Sequence, residues 1–140
     1  MNLLTETAVK QLLTDNPDLF ALVAERVTWD DEEIDMPYPG LTLRALTTRF
    51  PASELRGRGG IGQALVEVTA RATTRIGVSN LADAVVSALD PFQQGPTLVE
   101  LSAGGSVQIG AIVLNDFQQV PSIQQQSYRK LLTYSISYYE

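Results

Sequence analysis

The sequence predicts an α+β fold in which a largely antiparallel β-sheet packs against N-terminal helices and one central helix. Apolar residues recur at helical spacing in residues 5–23 and again in residues 79–90. Elsewhere the period is two, most regularly in the C-terminal segment "KLLTYSISYYE". The length of 140 residues favours one domain spanning residues 1–140.

Two helices open the chain. Thr5 is predicted to cap the first helix, whose apolar stripe comprises Ala8, Val9, Leu12 and Leu13. Asn16 is predicted to cap the second, with Pro17 at the first helical position, where a missing N–H carries no penalty. The predicted inner face of this second helix consists of Leu19, Leu22 and Val23.

Strands follow the two helices. "RVTW" predicts a short strand, and from Leu41 onward the period changes to two, although Leu46 interrupts the alternation. "QALVEVTARA" repeats the pattern and is predicted to place one side against the core: Ala64, Val66, Val68 and Ala70.

The central helix is predicted within "SNLADAVVSALDP", with Asn80 as its N-cap, Asp83 at the third helical position and Pro91 as its stop. Gly104 and Gly105 then predict the turn of a β-hairpin. The polar segment 118–127 is predicted as a long surface loop before the last strand, whose core side is Leu132, Tyr134, Ile136 and Tyr138.

Composition excludes several kinds of chemistry. Because histidine and cysteine are both absent, Ser-His-Asp and Cys-His catalysis, disulfides and the usual zinc sites are impossible. We therefore expect no catalytic residues, no metal and no cofactor. The N-terminus lacks a basic signal-peptide region, and no apolar run is long enough to span a membrane.

The segment "GRGGIG" contains the spacing of a dinucleotide-binding turn, in Gly57, Gly59 and Gly62. Such a turn requires a helix to begin at its last glycine, whereas the residues after Gly62 alternate as a strand does. Asp83, at the distance of a ribose-binding acid, is predicted in a helix. We interpret the match as accidental and predict a mobile hairpin loop over residues 51–60.

Charge concentrates in two segments. Arg56 and Arg58 lie in the predicted hairpin loop, where they could contact an acidic partner. The acidic run comprises Asp30, Asp31, Glu32, Glu33 and Asp35. The run lacks EF-hand spacing, so a solvated or partner-facing loop is favoured over a metal site or a hydrolytic carboxylate pair.

The remaining charges form no pattern that indicates nucleic acid. The ten Lys and Arg residues are scattered along the chain, so no basic stripe is visible. Arg129 and Lys130 are predicted at a strand start, where cations on a sheet edge discourage unwanted pairing. Trp29, beside the acidic run, is predicted to anchor the core.

Four segments together resemble the tail-completion proteins of long-tailed phages and phage-like particles, also called tail terminators or tail-to-head joining proteins. The segments are "AVKQLLTDNPDLFALVAERVTW", "MPYPGLTLRAL", "LADAVVSALDPF" and "GAIVLNDFQQVPSIQQQSYRKLLTYSISYYE". The resemblance covers nearly the whole chain and depends on the order of elements. The Gly-rich loop and the acidic run depart from it.

This resemblance implies a structural virion protein that is not an enzyme. Its subunits would form a ring, typically a hexamer, that caps the head-proximal end of the tail tube and stops its growth. The implied partners are the tail tube protein and the connector or stopper protein of the head. Assembly would take place in the bacterial host cytoplasm, and DNA would pass through the lumen without specific binding.

Three other functions remain open from the sequence. A neck adaptor or stopper on the head side has a similar size and also forms rings, although such proteins are more often helical. A monomeric binding domain would form no ring at any concentration. An enzyme or small ligand-binding module, using carboxylates or the Gly-rich loop, belongs to a different class. Nucleotides or divalent ions would stabilise such a module against heat.

Overall fold

The computed structural model describes residues 3–29, 39–49, 61–120 and 128–139. The elements within these residues are three helices and six strands: α1 (Leu3–Thr14), α2 (Pro17–Val23), β1 (Val27–Trp29), β2 (Gly40–Arg49), β3 (Ile61–Ala72), α3 (Arg75–Leu89), β4 (Thr97–Glu100), β5 (Ser106–Val120) and β6 (Tyr128–Tyr139). A short 3-10 turn, Asp90–Phe92, follows α3. The predicted α+β class is confirmed.

The six strands form one sheet in the order β1-β2-β3-β6-β5-β4. Only the β1–β2 pair is parallel, and the other four pairs are antiparallel. The last strand of the chain, β6, therefore lies inside the sheet between β3 and β5.

The core lies between one face of this sheet and the three helices. Alternate residues of β6 point into it, and Leu132, Tyr134, Ile136 and Tyr138 are each at most 3% exposed. The predicted inward side of β3 is buried as well. Burial of each such aliphatic side chain contributes about 1.5–3 kcal/mol to folding.

Of the two N-caps predicted for the first two helices, the structure has one. Asn16 caps α2 as predicted, its Oδ1 accepting the Leu19 N–H at 3.0 Å. The cap predicted at Thr5 is wrong, because α1 already runs through Thr5. Thr5 is fully buried together with Ala8, Val9 and Leu13, so it belongs to the inward stripe of the helix. On α2, Leu22 is 37% exposed, which corrects its predicted place on the inner face.

The central helix α3 begins six residues earlier than the sequence suggested. Thr74 is its N-cap, and the Thr74 Oγ1 accepts the Gly77 N–H at 2.9 Å. Asn80 and Asp83 are therefore exposed residues within the helix, and the capping box predicted for them is wrong. Val78 is fully buried, so the inward stripe extends one turn ahead of Leu81.

Two strand details also differ from the predictions. Leu46 interrupts the alternation of β2 because it is the extra residue of a bulge: Ala45 pairs with Val66 and Thr47 pairs with Leu65. Residues 118–120, predicted as loop, are the end of β5 and pair with residues 129–131 of β6. The rest of the predicted loop lies outside the described residues.

The predicted hairpin turn is confirmed. Gly104 and Gly105 have φ angles of 104° and 85°, a region that favours glycine. The Leu101 N–H donates to the Gly105 carbonyl at 2.9 Å, which closes the turn between β4 and β5.

Candidate functional site

The residues predicted from sequence as partner contacts lie outside the described residues. The acidic run comes between β1 and β2 and comprises Asp30, Asp31, Glu32, Glu33 and Asp35. Arg56 and Arg58 come between β2 and β3. Their roles remain predictions.

The glycine fingerprint leads into a strand. Gly62 is the second residue of β3 and pairs with Tyr138 of β6. A phosphate-binding turn presents the free N–H groups of a helix N-terminus. Because Gly62 lies in the strand β3, no helix begins there to supply them. The prediction that a strand follows this glycine is confirmed.

The sheet has a second face, which points away from the core, and we call it the open face. Among the described residues, no helix packs on it. It carries mainly hydroxyl and charged side chains, including Thr28, Thr42, Arg44, Glu67, Thr69, Arg71, Arg129, Thr133 and Ser135. These positions alternate with the buried positions of β1, β2, β3 and β6.

Strand pairing brings three arginines of the open face together. Arg71 of β3 lies directly opposite Arg129 of β6, and Arg44 of β2 lies opposite Glu67 of β3. They border a shallow cavity of about 280 Å³, which we call the arginine depression. Its lining residues are Thr42, Arg44, Glu67, Thr69, Arg71, Val120, Arg129 and Leu131.

The charges in the arginine depression do not balance. Arg44 Nη2 lies 3.3 Å from Glu67 Oε1, and this is an ion pair. Among the described residues, Arg71 and Arg129 form no ion pair. Three arginines and one glutamate give a formal charge of +3 − 1 = +2 for the lining residues.

Several polar atoms of the open face are buried without a hydrogen-bond partner in the described part of the chain. They are the Oγ1 atoms of Thr28 and Thr42 and the Nε of Arg71. Leaving such a group unsatisfied costs about 1–3 kcal/mol, so a partner that supplied acceptors here would gain affinity.

The structure corrects the prediction for Arg129 and Lys130. They lie on the interior strand β6 and not on a sheet edge, since β6 is paired on both sides. Lys130 points to the helix side, where its Nζ donates to Ser79 Oγ at 3.1 Å and lies 5.1 Å from the centre of the Phe117 ring. Arg129 points to the open face.

The sequence could have predicted that the three arginines share one face of a sheet, but not that they lie close together. Arg44, Arg71 and Arg129 each occupy a strand position whose neighbours in sequence point into the core. That alternation places all three on one face of a sheet. Which strands are adjacent, and in what register, could not be read from the same pattern.

A second, smaller cavity of about 30 Å³ adjoins Tyr134 between α3 and the sheet. The Tyr134 hydroxyl is buried without a hydrogen-bond partner among the described residues. Burial raises the pKa of Tyr134 well above its ordinary value, and the charge of Asp90 raises it further.

The described residues contain no group of three or more acidic side chains placed to hold a metal ion. Nor does any helix in this part of the chain combine the length and hydrophobicity needed to cross a membrane. The net positive charge of the residues that line the arginine depression favours anions over cations there.

Comparison with known proteins finds similarity at the level of the fold. A chain in the virion of a native gene transfer agent particle superimposes with a TM-score of 0.62, at 19% identity and over 100% of both chains. A second solved structure gives a TM-score of 0.59 at 13% identity, over 96% of this chain and 93% of its own. No protein-family model and no curated protein matches the sequence.

Proposed function

We propose that this chain is a structural subunit of a phage-like virion that acts as a tail terminator. The observation that carries the proposal is the full-length fold match to a chain in a gene transfer agent virion, with both chains covered end to end. The sequence resemblance to tail-completion proteins supports the same role independently of that match. The proposed role is structural and involves no enzymatic activity.

In the proposed role, copies of the chain form a ring, typically of six, at the head-proximal end of the tail tube. The ring stops tube growth and joins the tube to the connector or stopper protein of the head. DNA passes through its lumen without specific binding. The protein is thus a virion component that assembles in the bacterial host cytoplasm.

The two edges of the sheet support ring formation. On one side, β1 pairs only with residues 41–43 of β2, so residues 44–49 have no outer partner strand among the described residues. On the other side, β4 pairs only with residues 106–109 of β5, and residues 113–120 likewise have no outer partner in the described chain. Such strands are templates for pairing with another chain.

These two edges are different surfaces on opposite sides of one subunit. A contact between them is heterologous, so it propagates from copy to copy and closes into a ring when the rotation permits. The acidic run and the Arg56–Arg58 loop are proposed as further charged contacts within the ring or with its neighbours.

The test begins with the purified full chain over a concentration series, using light scattering after size exclusion and negative-stain images. We expect rings of about six copies with a central hole. The chain is then mixed with tail tubes and, separately, with filled heads of the same particle. Density at one end of the tubes, together with arrested tube growth, is the expected result.

Two results would contradict the proposal. Binding to filled heads but not to tubes would identify a neck adaptor or stopper instead. A chain that remained a monomer at every concentration and bound neither tubes nor heads would point to a small binding module. Thermal stabilisation by nucleotides or divalent ions would then be the next measurement.

A further inference from the structure

We propose that the arginine depression binds the acidic run, Asp30 to Asp35, of a second copy of this chain. The contact would set the angle between neighbouring copies through carboxylate–guanidinium pairs. This inference rests on the proposed function, because it requires copies to meet side by side.

The first reason is the direct opposition of Arg71 and Arg129. The register of β3 and β6 makes them a cross-strand pair, and like charges in that arrangement destabilise a sheet. A sequence that violates a local rule of this kind commonly does so at a functional site. An anionic partner would turn the unfavourable pair into a favourable site.

The second reason is that the subunit offers too few carboxylates of its own here. Glu67 contacts Arg44 at 3.3 Å, and among the described residues it is the only carboxylate that lines the arginine depression. Asp116, on the adjacent strand β5, accepts the Phe117 N–H at 2.9 Å and the Gln118 side chain at 3.2 Å. No carboxylate among the described residues pairs with Arg71 or Arg129, so both can bind an acceptor from another molecule.

The third reason is the hydrogen-bonding capacity of this surface. The Nε of Arg71 is buried without a partner among the described residues. A guanidinium binds a carboxylate with two parallel N–H···O bonds, and Nε is one of the donors that can take part. The surface is therefore suited to carboxylates rather than to an apolar segment.

Charge complementarity identifies the occupant. The acidic run holds five of the 16 acidic residues of the chain within six positions, against a total net charge of −6. The residues that line the arginine depression have a formal charge of +2. The two surfaces are different parts of the chain, so their contact is heterologous and propagates around a ring.

The experiment measures binding of a synthetic peptide with the sequence of residues 30–36, "DDEEIDM", to the isotope-labelled full chain. The signals of the arginine Nε–H groups are followed by NMR. We expect the peptide to shift the signals of Arg71 and Arg129, and to bind more weakly as salt is raised. A control peptide with Asn and Gln in place of the five acids should leave them unchanged.

A double variant, Arg71→Gln with Arg129→Gln, should weaken peptide binding by about tenfold or more, since charged hydrogen bonds are lost. The matched control is Lys10→Gln with Arg75→Gln, which removes the same charge outside the arginine depression and should bind like the unaltered chain. Removal of the like-charge pair should leave the thermal midpoint of the first variant unchanged or higher. A merely structural role for these arginines would lower it.

A third variant removes four carboxylates from the acidic run of the chain itself: Asp30→Asn, Asp31→Asn, Glu32→Gln and Glu33→Gln. If the peptide bound this variant but not the unaltered chain, at concentrations at which light scattering shows only monomers of both, the run would occupy the depression of its own copy, and the proposal would be overturned. Loss of binding in a further variant, Arg56→Gln with Arg58→Gln, together with unchanged binding in the Arg71→Gln, Arg129→Gln variant, would also overturn it.

A duplex DNA oligonucleotide serves as a competing anion. Shifts of Arg71 and Arg129 with DNA but not with the peptide would overturn the proposal in favour of phosphate binding. Because the peptide assay needs neither rings nor tubes, its outcome is distinguishable from failure of the proposed terminator role.

Discussion

The ring of Tyr138 fills the space in which any side chain at position 62 would lie. A Cβ atom added to Gly62 would overlap with Cζ of that ring and would lie 2.7 Å from its Cε2. The two residues are partners across β3 and β6, and Tyr138 is fully buried. The last glycine of the apparent nucleotide fingerprint is therefore required by packing.

Gly62→Ala should destabilise the chain by about 1–3 kcal/mol, which is the usual cost of overpacking a core. The residue is in a strand, where alanine is otherwise tolerated, so the loss would come from the clash with Tyr138. The free energy of unfolding in urea measures the effect.

The control for this prediction is a double-variant cycle with Tyr138→Leu, which removes the ring atoms that would clash. The loss caused by Gly62→Ala should be smaller in that background, because contacting residues are not additive. An equal loss in both backgrounds would place the cause elsewhere than at Tyr138.

Thr74→Ala should cost about 1 kcal/mol of stability, since it removes the oxygen that caps α3 at 2.9 Å. Asn80→Ala is the matched control. Asn80 is exposed within the helix, so alanine there should be neutral or should stabilise by about 0.5 kcal/mol. Thermal or urea unfolding of both variants decides the point, and the opposite order of effects would mean that α3 starts at Asn80.

Gln11 of α1 holds the turn between β4 and β5. Its Nε2 donates to the Glu100 carbonyl, and its Oε1 accepts the Ser102 N–H at 3.0 Å and the Ser102 hydroxyl at 3.2 Å. Gln11→Ala should therefore speed hydrogen exchange at residues 101–105 and lower stability by roughly 1 kcal/mol.

Gln108→Ala, an exposed change on β5, is the control for that measurement and should leave exchange in the turn unaltered. Exchange followed by mass spectrometry resolves this segment from the rest of the chain. Uniformly faster exchange over all elements in the Gln11 variant would contradict a local role.

Tyr134→Phe should leave stability at neutral pH unchanged or slightly higher, because it removes a buried hydroxyl with no partner among the described residues. The raised pKa of Tyr134, caused first by burial and then by Asp90, disfavours the phenolate in the folded chain, so the chain keeps its full stability below the ordinary phenol pKa of about 10. That stability is lost as pH rises toward the folded pKa.

Urea unfolding of the unaltered chain and of the Tyr134→Phe variant at several pH values tests this. Above pH of about 10, the unaltered chain should lose stability relative to the variant, approaching about 1.4 kcal/mol per pH unit. A difference that did not change with pH would show that Tyr134 titrates normally in the folded chain.

Much of the fold could be predicted because its signals are local. The Asn16-Pro17 start of α2 requires only adjacent residues, and so does the Gly104-Gly105 turn. The alternation of β6 is equally local, and it identified all four of the buried side chains that it predicted. The start of α3 failed because Thr74 and Asn80 are both acceptable caps, and burial of Val78 decided between them.

The sequence by itself determined the class of the fold and which side of β3 and of β6 enters the core, since both depend on periodicity within a segment. Only the tertiary structure decided that β6 pairs between β3 and β5, and with it the opposition of Arg71 and Arg129. Strand adjacency and register depend on contacts between residues far apart in the chain, and no local pattern encodes them. The arginine depression exists only because those strands meet.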